Sequence, residues 1–234
     1  MPGAYIFDFG GTLAWERDAG GLQAARADLV RRACADLADP ATVEAGWRAA
    51  LSDMAAAERV GTPVSAGWAA QRVVGTLEPS AVDALAPTLG AALVDPPGHP
   101  QSLELVPGVA EILARLRARH VPCAILSNTG LSSGAHNRAW LDAVGVAGAF
   151  VPDAMLFSDE LGVGKPAPVA FEACLDRLGR EAADVVHIGD SRWFDVAGAQ
   201  RCGLRTILCT PVLARGGEVV GARYHRVRHV LDRG

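Results

Sequence analysis

The sequence lacks any apolar run that approaches the about 18–20 residues needed to cross a bilayer. Its first stretch, MPGAYIFDFGG, has no basic segment and meets an acid at Asp8, so a secretory signal is not indicated. The five cysteines are odd in number and form no Cys-x-x-Cys pair, which argues against a disulfide framework and a thiolate zinc site. We therefore expect a cytoplasmic protein with no membrane partner.

Lysine is almost absent. Of the 22 lysine and arginine residues, only Lys165 is a lysine. The formal net charge is −4, so no excess of positive charge favours nucleic acid or an anionic membrane. The basic tail at 223–233 is expected to be a solvated edge and a last helix. Half of the 234 residues are apolar and 21% are charged, which is typical of a globular protein with one large domain or one domain plus an insertion.

Two kinds of sequence pattern divide the chain. Residues 15–99 are rich in alanine and follow helical periodicity, with no strand signal and with a break or kink expected at Pro87. Outside this block, in 1–14 and 100–234, short apolar runs alternate with amphipathic helices. This alternation predicts an α/β fold in which a parallel sheet carries helices on both faces.

Polar side chains follow the predicted strands, where ligand sites of such sheets lie. Acids that converge there would suit a hard cation such as Mg²⁺, and a lysine and a hydroxyl beside them would suit an anionic substrate. A carboxylate held next to a metal and a phosphoryl group can act as a nucleophile and form an aspartyl-phosphate. Four segments carry these side chains: DFGGTL with Asp8, AILSNT with Ser127 and Asn128, GVGKP with Lys165, and HIGDSRWFD with Asp190 and Asp195.

Taken together, in this order and spacing, the four segments resemble the motifs of the haloacid dehalogenase (HAD) superfamily, and the resemblance covers most of the chain. It implies a Rossmann-like, doubly wound core formed by residues 1–14 and 100–234. It also implies that residues 15–99 form the inserted α-helical cap domain of the family. Asp8 would be the nucleophile, and it would bind Mg²⁺ together with the Gly10 carbonyl and Asp190.

The resemblance also implies roles for the other motif residues. Ser127 and the amide of Asn128 would hold the transferring phosphoryl oxygens. Lys165 would screen the negative charge of Asp8 and the phosphate and, as a loop residue, would contribute little to folding. Asp195 would belong to the metal site and support either the metal's waters or Lys165. The loop after the first strand adds two candidate substrate-binding residues, Gly11 and Thr12.

One position departs from the phosphatases of this superfamily, which carry a second Asp two residues after the nucleophile as general acid and base. Here that position is Gly10. Without this acid, aryl and acyl phosphates are expected to react much faster than alkyl esters. His187, inside a strand, is expected to be packed or hydrogen-bonded rather than catalytic. Three residues are candidates to replace the missing acid: Glu16, Asp18 and His136.

The absence of this Asp leaves several chemistries to compare. A phosphonatase-like reaction needs a cap lysine, and residues 15–99 contain none. A dehalogenase needs no metal and its relatives typically lack an acid at the position of Asp190, so the intact GDS…D pattern favours phosphoryl chemistry. The expected function is Mg²⁺-dependent hydrolysis of a small phosphorylated metabolite. A 2-haloacid dehalogenase-like hydrolase and a non-catalytic phospholigand-binding homologue remain as alternatives.

Overall fold

The structure, a computed structural model that describes residues 2–213 and 219–227, contains eight strands in these ranges. They are β1 (Ala4–Phe7), β2 (Ala14–Glu16), β3 (Leu103–Leu105), β4 (Cys123–Ser127), β5 (Met155–Phe157), β6 (Val185–Gly189), β7 (Arg205–Leu213) and β8 (Val219–Val227). Six of them form one sheet in the order β5-β4-β1-β6-β7-β8. Its first five strands are parallel, which confirms the predicted α/β fold.

The edge of this sheet differs from the prediction for the tail. Instead of a last helix, residues 223–227 belong to β8, which pairs antiparallel with β7. Most of β8 is exposed, because it is an edge strand, so its arginines reach solvent and the apolar alternation that marks a strand is absent. Residues 228–233 of the predicted helix lie outside the described residues.

The helices connect the strands. In the described ranges they are α1 (Ala19–Ala33), α2 (Pro40–Arg59), α3 (Ala66–Leu77), α4 (Val82–Val94), α5 (Val109–Ala118), α6 (Gly134–Ala143), α7 (Ser158–Leu161), α8 (Pro168–Leu178) and α9 (Gly198–Arg201). Four 3₁₀ turns lie at Pro79–Ala81, Ala147–Ala149, Pro152–Ala154 and Ala182–Asp184. A π-helical turn, Arg192–Ala197, precedes α9. The helix predicted near 193–202 is therefore divided, and the break predicted at Pro87 is not found, since α4 continues through that residue.

Alternate side chains of the central strands point to two separate apolar layers. Phe7 and Ile125 pack in a cluster with Leu113 of α5. Ile6 belongs to a second cluster with Phe171 of α8. Neighbouring residues of a strand face opposite sides of the sheet, so the two clusters lie on opposite faces. Helices therefore cover both faces of the sheet. Within the described part of the chain, no helix has the length and apolar character needed to cross a membrane.

Helices α1 to α4, the helical block, have an apolar cluster of their own. Val30, Trp47 and Val73 are buried in it, together with Leu131 from the loop after β4. Arg26 joins the same parts, because its Nε donates to the carbonyl of Leu93 at 2.8 Å and its guanidinium to that of Leu131 at 3.3 Å. The separate cluster agrees with an inserted unit, whose boundaries at 15–99 stay a prediction.

A two-stranded ribbon flanks the helical block, although the sequence showed no strand signal there. β2 pairs antiparallel with β3, with Trp15 opposite Glu104. Both strands have three residues, too few to show periodicity in the sequence. The Glu16 carboxylate accepts the Ser102 amide at 2.9 Å, and Asp18 caps α1 by accepting from Gly21 at 2.9 Å. These two acids therefore have structural partners.

Candidate active site

Asp8 lies directly after β1, in the centre of the sheet, and is 7% exposed. The turn that follows is compact, because the carbonyl of Phe9 accepts the amides of Leu13 and Ala14 at 2.9 and 3.0 Å. Burial, opposed by Lys165, raises the pKa of Asp8 to about 6. The turn thus holds one carboxylate at the carboxyl edge of the sheet.

Lys165 reaches this edge from the loop before α8. Its Nζ lies 2.6 Å from Oδ1 of Asp8 and 2.6 Å from Oδ1 of Asp195, and the residue is 2% exposed. Burial alone would lower the pKa of the ammonium, but the attraction of Asp195 and Asp8 outweighs it and holds that pKa above its usual range. The single lysine of the sequence is therefore a buried, charged bridge between two acids.

The Lys165 loop is positioned by the side chain of Asn128, just after β4. The Lys165 amide donates to Oδ1 of Asn128 at 2.8 Å, and Nδ2 of Asn128 donates to the Lys165 carbonyl at 2.9 Å. Gly164 leaves room for this pair, because a Cβ there would lie 2.7 Å from Oδ1 of Asn128. Ser127 ends β4 beside it and is buried, with its hydroxyl 3.3 Å from the Asn128 carbonyl.

Both carboxylate oxygens of Asp195, in the π-helical turn, accept hydrogen bonds. Oδ1 contacts Lys165 and Nε2 of His187 (2.9 Å), and Oδ2 accepts the Ser191 amide at 2.8 Å. Burial would raise the pKa of Asp195, but Lys165 and His187 lower it below its usual range. His187 is fully buried and hydrogen-bonded, as the sequence predicted. A Cβ on Gly189 would lie 2.1 Å from Cγ of Asp195. The absence of a side chain at Gly189 therefore allows Asp195 to approach β6.

Oxygen atoms of three acids lie close together at Asp8, and those of Asp190 and the nearby Gly10 carbonyl have few protein partners. One carboxylate oxygen each of Asp8, Asp190 and Asp195 lie within 4.8 Å of one another. Among the described residues the Gly10 carbonyl has no hydrogen-bond donor, and Asp190, an exposed residue, has no ion pair. Desolvation of its carboxylate and repulsion by Asp195 raise the pKa of Asp190 to about 6. Several oxygens with unused lone pairs at this spacing fit a hard cation such as Mg²⁺.

Gly11 makes the approach of Asp190 possible. Its φ of +71° lies in the left-handed region, and a Cβ would stand 2.2 Å from Oδ2 of Asp190. Thr12 is buried beside it, and its Oγ1 has no hydrogen-bond partner in the described residues. Neither residue is among those that line the pocket of about 220 Å³ at Asp8, so both contribute to the shape of the turn and not to the pocket wall.

A pocket of about 220 Å³ opens above Asp8. Seven of the predicted site residues line it, and the structure thus brings most of the motif residues together. The lining consists of Asp8, Gly10, Ser127, Asn128, Lys165, Asp190 and Asp195, with three residues that the sequence analysis did not select, Glu58, Ser191 and Phe194.

Glu58 is the unexpected acid in this lining. It lies in the last turn of α2, is half-buried, and its Oε1 is 3.8 Å from the ideal Cβ position on Gly130. Burial, opposed by Lys165, raises the pKa of Glu58. None of Glu16, Asp18 and His136, the candidates from the sequence, lines the pocket. Only the packing of α2 on the core identifies Glu58, because no motif surrounds it.

A larger pocket of about 440 Å³ lies between the helical block and the loop after β4. Leu51 and Met54 of α2 line it, as do Thr129 and Leu131. Leu51, Met54 and Glu58 follow helical spacing, so one face of α2 covers both pockets. The space between helical block and core is therefore large enough for a small organic molecule.

The chain belongs to the haloacid dehalogenase-like hydrolase family, which it matches over residues 2–203. It is 35% identical over 111 residues to ribulose-1,5-bisphosphate 5-phosphatase of Halopiger xanaduensis, covering 47% of this chain and 44% of that protein. It is 32% identical over 123 residues to protein CbbY of Rhodobacter capsulatus, covering 50% and 51%. The chain thus spans about half the length of these curated relatives.

Solved structures show the same fold. A 2-haloacid dehalogenase from Pseudomonas syringae pv. Tomato DC3000 has a TM-score of 0.59 at 22% identity, with 89% of this chain and 86% of that chain covered. A HAD phosphatase from Thermococcus onnurineus has a TM-score of 0.57 at 21% identity, with 92% and 87% covered. At these identities the likeness shows the fold, which dehalogenases and phosphatases share. The predicted Rossmann-like HAD core is confirmed.

Proposed function

We propose that this chain is a Mg²⁺-dependent phosphohydrolase that hydrolyses a small phosphorylated metabolite through an aspartyl-phosphate on Asp8. One observation carries the proposal: Asp8 lies in a pocket with a buried cation, Lys165, on one side and a second acid with unused oxygens, Asp190, on the other. The names of the relatives, which include a phosphoserine phosphatase of Thermus thermophilus, support the same class of substrate.

In the first half of the reaction, a carboxylate oxygen of Asp8 attacks phosphorus and the bond to the leaving oxygen breaks. Ser127 and the backbone amide of Asn128 hold the phosphoryl oxygens, and Lys165 balances the charge that accumulates between Asp8 and the phosphate. In the second half, water attacks phosphorus, the bond to Asp8 breaks and inorganic phosphate leaves. The Lys165 ammonium, 2.6 Å from Oδ1 of Asp8, favours the ionised carboxylate that a nucleophile must be.

Asp8, the Gly10 carbonyl and Asp190 would hold Mg²⁺, which when bound neutralises charge on the phosphoryl oxygens. Asp195 has a different role in this proposal. Because Lys165, His187 and the Ser191 amide occupy its oxygens, it orients the ammonium of Lys165 toward Asp8. This is the second of the two roles that the motif implies for Asp195.

The proposal includes a cytoplasmic location, supported by the five cysteines, all of which are free thiols. It includes no nucleic-acid or membrane partner. A 2-haloacid dehalogenase remains the alternative, because dehalogenases share this fold, and Asp190 beside Asp8 is the feature that argues against it.

The test is a screen of phosphate esters with Mg²⁺ and with EDTA, alongside chloride release from 2-haloacids. We expect phosphate release that requires Mg²⁺ and is lost in Asp8→Asn. Chloride release without metal would replace the proposal by the dehalogenase. Silence in both assays, with a melting temperature raised by phosphate, would make the chain a phospholigand-binding protein.

A further inference from the structure

The pocket has unfilled space at the position of the missing second acid. An ideal Cβ on Gly10 would meet no atom within 4 Å, so no neighbouring side chain occupies the space next to this residue. The φ of Gly10 is outside the left-handed region, so this position does not require glycine for its backbone. Residue 10 therefore supplies no general acid or base, although the turn has room for an acidic side chain at this position.

Glu58 is a carboxylate in the same pocket, and it comes from the helical block rather than from the motif. Its carboxylate has no hydrogen bond and no ion pair with any residue that the structure describes, whereas both oxygens of Asp195 are occupied. Glu16 and Asp18, by contrast, each accept a hydrogen bond from a backbone amide. A half-buried acid without such a partner is free to exchange a proton with a bound molecule.

Two contacts directly after Glu58 dock the end of α2 onto the core. The Gly164 amide donates to the Gly61 carbonyl at 2.9 Å, directly beside Lys165. Nε1 of Trp193 donates to the Arg59 carbonyl at 3.0 Å, and the Arg59 guanidinium lies 5.6 Å from the ring centroid of Trp193. The position of Glu58 is thereby tied to the loop that carries the catalytic lysine.

Glycine is required where α2 meets the lysine loop. Gly61 has a φ of +82°, and a Cβ there would lie 2.7 Å from the Cβ of Ala167 and 2.9 Å from the Gly164 carbonyl. Any larger residue would move α2 away from the core. The close approach that brings Glu58 to the pocket is therefore built into the backbone.

From this geometry we infer that Glu58 supplies the general acid and base that Gly10 cannot supply. The inference rests on the proposed phosphohydrolase function. As Asp8 attacks phosphorus and the bond to the leaving oxygen breaks, protonated Glu58 donates its proton to that oxygen. The resulting carboxylate then takes a proton from the water that attacks phosphorus, and the bond between Asp8 and phosphorus breaks. Phosphate leaves, and Glu58 is protonated again for the next cycle.

The surroundings of Glu58 suit this cycle. Burial raises the pKa of its carboxyl group, with Lys165 opposing, so the proton is held more firmly than by an exposed glutamate. Because the acid lies on α2, it joins the site only while the helix is docked on the lysine loop. The proton donor thus comes from the part of the molecule that covers the substrate.

The experiment compares an alkyl phosphate with p-nitrophenyl phosphate, whose leaving group is stable as an anion. In Glu58→Gln we expect kcat/KM for the alkyl ester to fall about 10²–10⁴-fold, while kcat/KM for the aryl ester changes little. Because the water-activating base is lost as well, a burst of nitrophenolate should precede slow turnover. The matched control is Glu44→Gln, which alters an exposed glutamate of the same helix and should leave both values unchanged.

A second variant keeps the test independent of folding. In the double variant Gly10→Asp and Glu58→Gln, the new carboxylate occupies the open place beside Asp8, and alkyl-ester activity should return. Suppose that the unmodified protein releases phosphate and that Glu58→Gln has the same ratio of alkyl to aryl activity. That result would overturn the role of Glu58 and leave the proposed function intact. An unmodified protein that hydrolyses no phosphate ester overturns the proposed function, and the role of Glu58 with it.

Discussion

The carboxamide of Asn128 pairs with both backbone groups of Lys165, accepting from its amide at 2.8 Å and donating to its carbonyl at 2.9 Å. A side chain next to β4 thereby positions the loop that carries the only lysine of the sequence. The ammonium at the end of that lysine then joins Asp8 to Asp195, at 2.6 Å from each. One hydrogen-bonded chain of residues thus links all four motifs.

Lys165→Arg is expected to reduce kcat/KM nearly as much as Lys165→Met. The site holds a compact ammonium between two carboxylates, and a planar guanidinium is too wide for that space. Phosphate release by the three proteins, assayed with Mg²⁺, measures this. An arginine variant that keeps most of the activity would reduce Lys165 to a generic positive charge.

Stability should also respond at this position, contrary to the expectation for a loop residue. Lys165 is 2% exposed, and its removal in Lys165→Met leaves the buried Asp8 without its ion-pair partner, whereas Asp195 keeps His187 and the Ser191 amide. We expect unfolding to become easier by about 3 kcal/mol, the low end for a broken buried ion pair, because Asp8 can take up a proton. Urea unfolding monitored by circular dichroism gives the free energy of unfolding, and an unchanged value would contradict this account.

Asp190→Asn should abolish metal-dependent activity, because it removes a charged oxygen ligand beside Asp8. Calorimetric titration with Mg²⁺ should show the loss of binding directly. Asp184→Asn, an exposed acid beside the start of β6, is the control and should bind Mg²⁺ normally. Activity that survives Asp190→Asn or EDTA would favour the dehalogenase.

Gly11→Ala should damage both stability and activity. The substitution places a Cβ 2.2 Å from Oδ2 of Asp190 and strains a residue whose φ is +71°. Gly145→Ala separates the two effects, because Gly145 has a φ of +76° and no atom within 4 Å of its Cβ position. We expect about 1 kcal/mol of destabilisation in Gly145→Ala from the backbone alone. Only Gly11→Ala should also lose activity, as measured by phosphate release.

The dependence of kcat/KM on the pKa of the leaving group separates two hypotheses about Gly10. If no residue replaces the missing Asp, aryl and acyl phosphates react far faster than alkyl esters, as the sequence predicts. If Glu58 donates the proton, the dependence is shallow in the unmodified protein and steep in Glu58→Gln. A graded series of phenyl and alkyl phosphates measures both slopes. A steep slope in the unmodified protein would exclude Glu58 as the acid.

Much of the fold and most of the pocket residues could be predicted from the sequence. Apolar runs that end in polar residues mark the central strands, and the carboxyl ends of parallel strands meet at one edge, so Asp8, Ser127 and Asp190 had to lie near one another. The last strand and the ribbon of β2 and β3 were not predicted. An exposed edge strand and strands of three residues lack the periodicity on which such predictions depend.

The sequence by itself determined which chemical groups meet at the sheet edge. Short apolar runs mark the strands, and the polar residues that end those strands follow directly in the sequence. Only the tertiary structure decided which partners each of these groups has. In the folded chain both oxygens of Asp195 are hydrogen-bonded, to Lys165, His187 and a backbone amide, and Thr12 is buried away from the pocket. The tertiary structure also brought Glu58, which lies 50 positions after Asp8 in the sequence, into the lining of the same pocket. That placement depends on the packing of α2 at Gly61, which no local pattern records.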